Sequence, residues 1–255
     1  MGFGEAFRRC FSDSVRFCLA LPLVFLALVA VEAFQHFAEW SLGLYASLDA
    51  FKLHANDAQR MGPGFAKVLL SYVVIYWIAR WAASGRNVGA ATRVDPVAIS
   101  RFAVVVAFNF AIAAFQLEGD AVLQALGVAP KLAKVIVGTA WLASIPLTLI
   151  LPWTVGSALG GEAIRLSEAP RLARGSILWT IGLAVAAMLP LMVLHYILGS
   201  AAIGKPMAAL VPMLALDALV AGFLIVVISL SMVLSVQRML VRNGRTLQCD
   251  GGTFV

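Results

Sequence analysis

ALVAGFLIVVISLSMVLSVQ, residues 218–237, is an uncharged run of twenty residues closed on its C-terminal side by Arg238. At about 1.5 Å per helical residue it spans about 30 Å, the thickness of a bilayer's hydrocarbon core, so it reads as a membrane-crossing helix. Extended back to Met207 it becomes the last of six largely apolar stretches, at 14–37, 63–84, 96–117, 133–156, 175–199 and 207–237. The whole chain agrees: 62% hydrophobic residues, 13% charged and a mean hydropathy of +0.93 leave too little polar surface for a water-soluble domain. Six crossings and their connections consume the 255 residues and leave no room for a soluble catalytic domain. The expected fold is an all-α integral membrane protein, a single polytopic domain over 1–255 with six transmembrane helices in three hairpins.

Thirteen of the fourteen arginines fall in one alternate set of loops, and every lysine falls in the other. Arg8, Arg9 and Arg16 precede the first stretch, and Arg80, Arg86, Arg93 and Arg101 lie at or between the second and third. Arg165, Arg171 and Arg174 join the fourth to the fifth, and Arg238, Arg242 and Arg245 come after the sixth. Opposed to these thirteen are six: Lys52, Arg60, Lys67, Lys131, Lys134 and Lys205. Basic residues concentrate on the cytoplasmic side, so both termini are expected there, in a multi-pass protein of the bacterial inner membrane. Residues 1–16 then form a cytoplasmic amphipathic segment, 38–62 an outer interfacial segment and 239–255 a cytoplasmic tail. The first stretch lacks a small-x-small cleavage site and reads as an uncleaved span, and Ala6 breaks the myristoylation pattern. Cys10, Cys18 and Cys249 map to the reducing side and are expected as free thiols.

Local patterns add detail. Phe3, Phe7 and Phe11 recur every four residues opposite Arg8, Ser12 and Arg16, the geometry of a helix lying in the headgroup layer. Residues 41–60, with Leu44, Leu48 and Phe51 on one side, read as a second interfacial helix on the outer surface or as a solvated loop. Asp95 followed by Pro96 is a helix start, a capping side chain before a residue suited to the first turn. Pro146 and Pro152 bracket a bend in the fourth stretch, and Pro206 to Pro212 reads as a short broken or re-entrant piece before the sixth. Gly156 and Gly160 make a Gly-x-x-x-Gly step open to close helix contact. Only twelve uncharged residues separate Lys67 from Arg80, so both are expected to snorkel, with Trp77 and Trp81 as interfacial anchors, unless Arg80 pairs inside the bundle. Gly4-Glu5-Ala6-Phe7-Arg8 and Gly161-Glu162-Ala163-Ile164-Arg165 echo one another ahead of the first and fifth stretches, a weak internal repeat.

Counting depth back from Arg238 puts Asp217 at the outer boundary, and similar counts place His195 there and Glu32 slightly below it. Glu32, His36, Glu39, His195 and Asp217 therefore form an expected outer polar mouth. Glu32, His36 and Glu39 share a helical face. Carboxylate with imidazole suits a divalent cation, a proton relay or substrate contact, and ordinary interfacial solvation accounts for the same residues. Asn109, near mid-membrane, is the remaining candidate contact, or an interhelical hydrogen bond. No phosphate loop, zinc pair, paired-cysteine motif or nucleophile elbow occurs, so no catalytic residue, metal or cofactor is assigned. Arg8, Arg9, Arg16, Arg165, Arg171 and Arg174 are the expected contacts for anionic lipid headgroups or a membrane protein partner, with Glu162 in the same network; nothing points to nucleic acid.

Residues 161–183, GEAIRLSEAPRLARGSILWTIGL, carry Glu-Ala, then Ser, then Arg-Leu-x-Arg-Gly, then an apolar helix with an early Trp. This order resembles the inner-loop signature of bacterial six-helix membrane proteins that include the YciC-like family and the membrane domain fused to some glycerophosphodiester phosphodiesterases. The usual Ser-Trp pair is absent here, Glu168 following Ser167, and Pro170 intrudes. The resemblance implies a bacterial inner membrane protein and assigns no substrate. Two functions stand as expectations. One is transport or handling of a small or amphiphilic molecule or lipid; the other is a non-transporting accessory subunit of a larger membrane complex.

Overall fold

The computed structural model describes residues 1–54, 57–160 and 164–247. In chain order the helices are α1 (Phe3–Ala20), α2 (Pro22–Ser41), α3 (Leu48–His54), α4 (Ala58–Ala83), α5 (Val88–Thr92), α6 (Pro96–Ala125) and α7 (Pro130–Leu147). A 3-10 turn, Thr148–Ile150, leads into α8 (Leu151–Ser157), followed by α9 (Ala169–Ala173), α10 (Ile177–Ala202) and α11 (Met207–Arg242). The described residues are all-helical, and six segments are long and apolar enough to cross a membrane: α2, α4, α6, the α7–α8 run, α10 and α11. The protein is a multi-pass membrane protein. Its polarity is inverted relative to a soluble fold: Leu19, Leu23, Leu178 and Tyr196 stand outward, while Glu32, Arg80 and Asp217 are buried. Lipid solvates the first set at no cost, and the second can be held only by partners inside the protein.

The helix boundaries obey local chemistry. The Asp95 carboxylate accepts from the Val97 and Ala98 amides and Pro96 opens α6, as the sequence predicts. The bend between Pro146 and Pro152 is the 3-10 turn dividing α7 from α8. Pro22 departs from the sequence expectation: it ends the run from α1, so residues 14–20 belong to the amphipathic helix and the first span begins at Pro22. No break occurs at Pro206 to Pro212: Pro206 precedes α11, and the helix continues through Pro212, its sixth residue, at the loss of one backbone hydrogen bond.

The chain divides into two compact units, each described by itself. The first comprises residues 1–78 and 182–234. Here α1 buries Ala6, Cys10, Asp13, Ser14 and Phe17, a stripe lying between the expected faces. Asp13 is held there by Arg9 at 3.3 Å and Arg16 at 3.2 Å, whereas Phe3 remains exposed. Residues 41–60 contain α3, seven residues long. Leu44 and Tyr45 are buried with Ala202, Leu210 and Leu214, and Phe51 packs against them; Leu48 is exposed. Gly222 on α11 lets α2 approach closely, since a Cβ there would stand 3.0 Å from a Val29 methyl.

The second unit comprises residues 79–181 and 235–255. Arg80 is its hub, and the expectation of snorkelling is corrected. The side chain is 4% exposed and donates to the backbone carbonyls of Ala91 (3.0 Å), Arg93 (2.9 Å) and Ala158 (3.3 Å), with the Asp95 carboxylate at 3.8 Å. A guanidinium has donors enough to hold three carbonyls at once, which outweighs its exposure to headgroup water. Asn87 caps α5, and the Arg101 guanidinium donates to the Gly160 carbonyl. The Gly-x-x-x-Gly step is used internally: Ile164 fills the space beside Gly156, and Asp95 that beside Gly160. Gly161, Glu162, Ala163 and Cys249, and with them one copy of the expected repeat, lie outside the described residues. The helix next in the chain after that copy is α9, five residues long, against eighteen in α1.

Candidate functional site

In the first unit, α2 carries Glu32, Gln35, His36 and Glu39 at three- and four-residue spacings, so one helical face presents four polar side chains. All four are buried, with Glu32 1% exposed and His36 6%. The expected solvation at the interface therefore does not hold for them. α11 brings Asp217, fully buried, against this face: its Oδ2 lies 3.0 Å from His36 Nε2. α10 contributes His195, whose Nδ1 lies 2.7 Å from Asp217 Oδ1. The five residues proposed from sequence as a polar mouth are thus gathered into one contiguous cluster.

Four further residues complete it. Tyr45, just beyond α2, donates its hydroxyl to Glu39 Oε2 at 2.6 Å. Arg60 Nε donates to Glu39 Oε1 at 2.8 Å, and Gln35 Nε2 to the same oxygen at 3.2 Å. Lys67 Nζ stands 2.9 Å from Glu32 Oε2. In the sequence, Arg60 and Lys67 stand only as outer-side charges. Their lying on the same side as three carboxylates is the signal that could pair them, but the partner of each depends on how α4 packs.

Proton positions are fixed by the network. Burial, and then the Glu39 charge beside it, raise the Tyr45 hydroxyl above its ordinary pKa, so it remains a phenol and spends its proton on Glu39. His36 Nδ1 lies 3.0 Å from that hydroxyl oxygen and 3.2 Å from Glu39 Oε2. With the hydroxyl proton committed, Nδ1 must be the donor and Nε2 is directed toward Asp217 and Glu32. Before either imidazole is counted, three carboxylates against Arg60 and Lys67 leave the cluster one negative charge in excess.

Beside the cluster lies a pocket of about 410 Å³ between α2 and α11, open along an apolar face. Ala33, Phe37 and Trp40 line it from α2, and Leu210 and Leu214 from α11; His36 is its one ionisable lining residue. The structure thus joins an apolar groove to a charged cluster through a single imidazole.

The other sequence candidates lie elsewhere. Asn109 is on α6 in the second unit, and its amide donates to the Val105 carbonyl one turn back at 2.9 Å. Arg8 is exposed on α1, while Arg9 and Arg16 are engaged by Asp13. Arg165, Arg171 and Arg174 are exposed. The contacts in their region come from α11 and the residues just after it instead: Arg245 reaches Glu168 at 3.3 Å, Arg242 donates to the Gly175 carbonyl at 2.9 Å, and Arg238 lies over the Trp179 ring at 4.5 Å. Comparison of the chain with protein-family models, with curated proteins and with solved structures finds no match in any of the three.

Proposed function

We propose that this multi-pass protein binds and moves, or presents, an amphiphilic molecule or lipid, with its spans paired as hairpins, both termini cytoplasmic, in a bacterial inner membrane. The observation that carries the reading is the apolar groove opening onto His36 and, behind it, onto a cluster holding Arg60 and Lys67. Ionisable groups at such positions in a membrane protein are costly and are retained where they serve a ligand or ion. A mostly apolar pocket with a few convergent polar groups fits a ligand with a hydrocarbon tail and a polar head. The arginine asymmetry supports the orientation, and a cysteine placed at Gly89 should label from the cytosolic side only. The resemblance of residues 161–183 to YciC-like proteins supports the same cellular setting. The accessory-subunit reading loses one support, because the Gly-x-x-x-Gly surface is filled by Ile164 and Asp95.

The test is photolabelling. In vesicles containing a phospholipid with a diazirine in its acyl chain, label should concentrate on peptides from α2 and α11. Leu214→Trp, which fills the groove, should remove most of it. Label spread evenly over the lipid-facing surface, and unchanged by Leu214→Trp, would sink the reading.

A further inference from the structure

Two buried atoms in the cluster lack what the rest of it has. His36 Nε2 and Asp217 Oδ2 are 3.0 Å apart, yet neither makes an aligned hydrogen bond, and Glu32 Oε1 lies 3.9 Å from the same nitrogen. The parent residues are at least nine-tenths buried. His36 Nδ1 faces the Tyr45–Glu39 pair, so Nε2 is the ring atom turned toward Asp217 Oδ2. A cation held between these two atoms would give both the partner that their geometry with each other does not supply.

We propose that Glu32, His36 and Asp217 bind a divalent transition-metal cation of the zinc or manganese class. The ligand atoms of the three residues all lie within 4.8 Å of one another, the only such grouping of histidine, cysteine and carboxylate ligands among the described residues. Two ligands at right angles around a metal with bonds of about 2.1 Å stand about 3.0 Å apart, the separation of His36 Nε2 and Asp217 Oδ2. Glu32 Oε1 is 3.9 Å from Nε2, and a shift of about 0.6 Å brings even a 4.8 Å pair within the span of two opposed bonds. Imidazole nitrogen with two carboxylate oxygens favours zinc, manganese or ferrous iron over magnesium or calcium, which prefer all-oxygen shells.

The surroundings match the outer shell of a metal site. Glu39 and Tyr45 face Nδ1 of the ligand imidazole and fix its tautomer. His195 holds the second oxygen of Asp217, and Lys67 the second oxygen of Glu32, so each ligand is oriented by a neighbour. Three protein ligands leave coordination positions open, and His36 borders the groove. The site goes beyond the amphiphile reading and does not depend on what occupies the groove.

Full-length, tag-free protein in nanodiscs, stripped with chelator and dialysed against Zn²⁺ or Mn²⁺ alone, should retain one ion per chain by elemental mass spectrometry. Cobalt(II) should give visible ligand-field bands at the same stoichiometry. His36→Gln should abolish retention. Glu39→Gln, which keeps all three ligands, should weaken binding about 10–100-fold. Should His36→Gln fail to fold, the wild-type stoichiometry, the cobalt spectrum and Glu39→Gln decide alone. Folded wild-type protein that keeps no stoichiometric ion, or keeps one that Glu39→Gln and His36→Gln leave unchanged, overturns the assignment. Photolabelling of the groove is scored without added metal, so failure here is distinguishable from failure of the amphiphile reading.

Discussion

Replacing Arg80 by Met tests whether this guanidinium ties the second unit together or merely sits at an interface. Met keeps much of the aliphatic stem and removes every donor. The three carbonyls it satisfies differ in what happens next: Ala91 and Ala158 belong to residues with no exposed surface, whereas Arg93 is exposed. Water or headgroups can take over the Arg93 carbonyl, so its loss costs little. The other two are left buried without a donor, at about 1–3 kcal/mol each, for a total of about 2–6 kcal/mol. Arg80→Lys keeps the charge but not the fork, and should recover about one of the two bonds. Unfolding in mixed detergent and dodecyl sulfate micelles measures the difference directly. In a thermal melt, 1 kcal/mol corresponds to about 2–4 °C for a chain of this size, so Arg80→Met should lower the midpoint by about 5–20 °C. A loss below about 1 kcal/mol, the range of an exposed charge, would refute the buried hub and restore the snorkelling reading.

Other consequences are open to simpler measurement. Glu39→Ala strips the acceptor from Arg60, Tyr45 and Gln35 and should cost about 3–5 kcal/mol in the same unfolding assay, since it breaks a buried pair. Arg60→Met leaves that buried carboxylate without its cation and should also cost about 3–5 kcal/mol; a loss below about 1 kcal/mol would contradict the burial of Glu39. The Cys10 thiol is pushed up to about 12 by burial and the adjacent Asp13 charge, and Cys18 to about 11 by burial. At pH 8 both should therefore alkylate far more slowly than a free thiol in a Cys249→Ser background, the rate rising about tenfold per pH unit and jumping on denaturation. Fast labelling of native Cys10 at pH 8 would show that its environment is not the one described.

The helices of this protein are legible because membrane spans are a one-dimensional property. Length, uncharged composition and the positions of Asp95, Pro96, Pro146 and Pro152 act within a few residues of themselves, and the structure repeats them nearly unchanged. The polar candidates on α2 are also readable, because residues three and four apart share a face whatever the helix touches. Depth arithmetic stops at that point: it measures distance along one helix, so it can assign Glu32, His36 and Asp217 to one polar mouth but cannot tell that they touch one another or that they are buried. Their burial depends on a neighbour. Only packing sets α11 against α2 closely enough for His36 to meet Asp217, at a helix contact where Gly222 lies beside Val29. Only packing brings Arg60 and Lys67, one at the start of α4 and the other two turns along, to carboxylates on another helix. Arg80 shows the same limit, since a chain position equally suited to snorkelling and to pairing is decided by how the chain folds back to bring the Ala91, Arg93 and Ala158 carbonyls to it. Local sequence sets which segments prefer lipid; the meeting of charges inside them belongs to the tertiary structure, because an ion pair is a property of two segments and the intervening chain does not encode their distance.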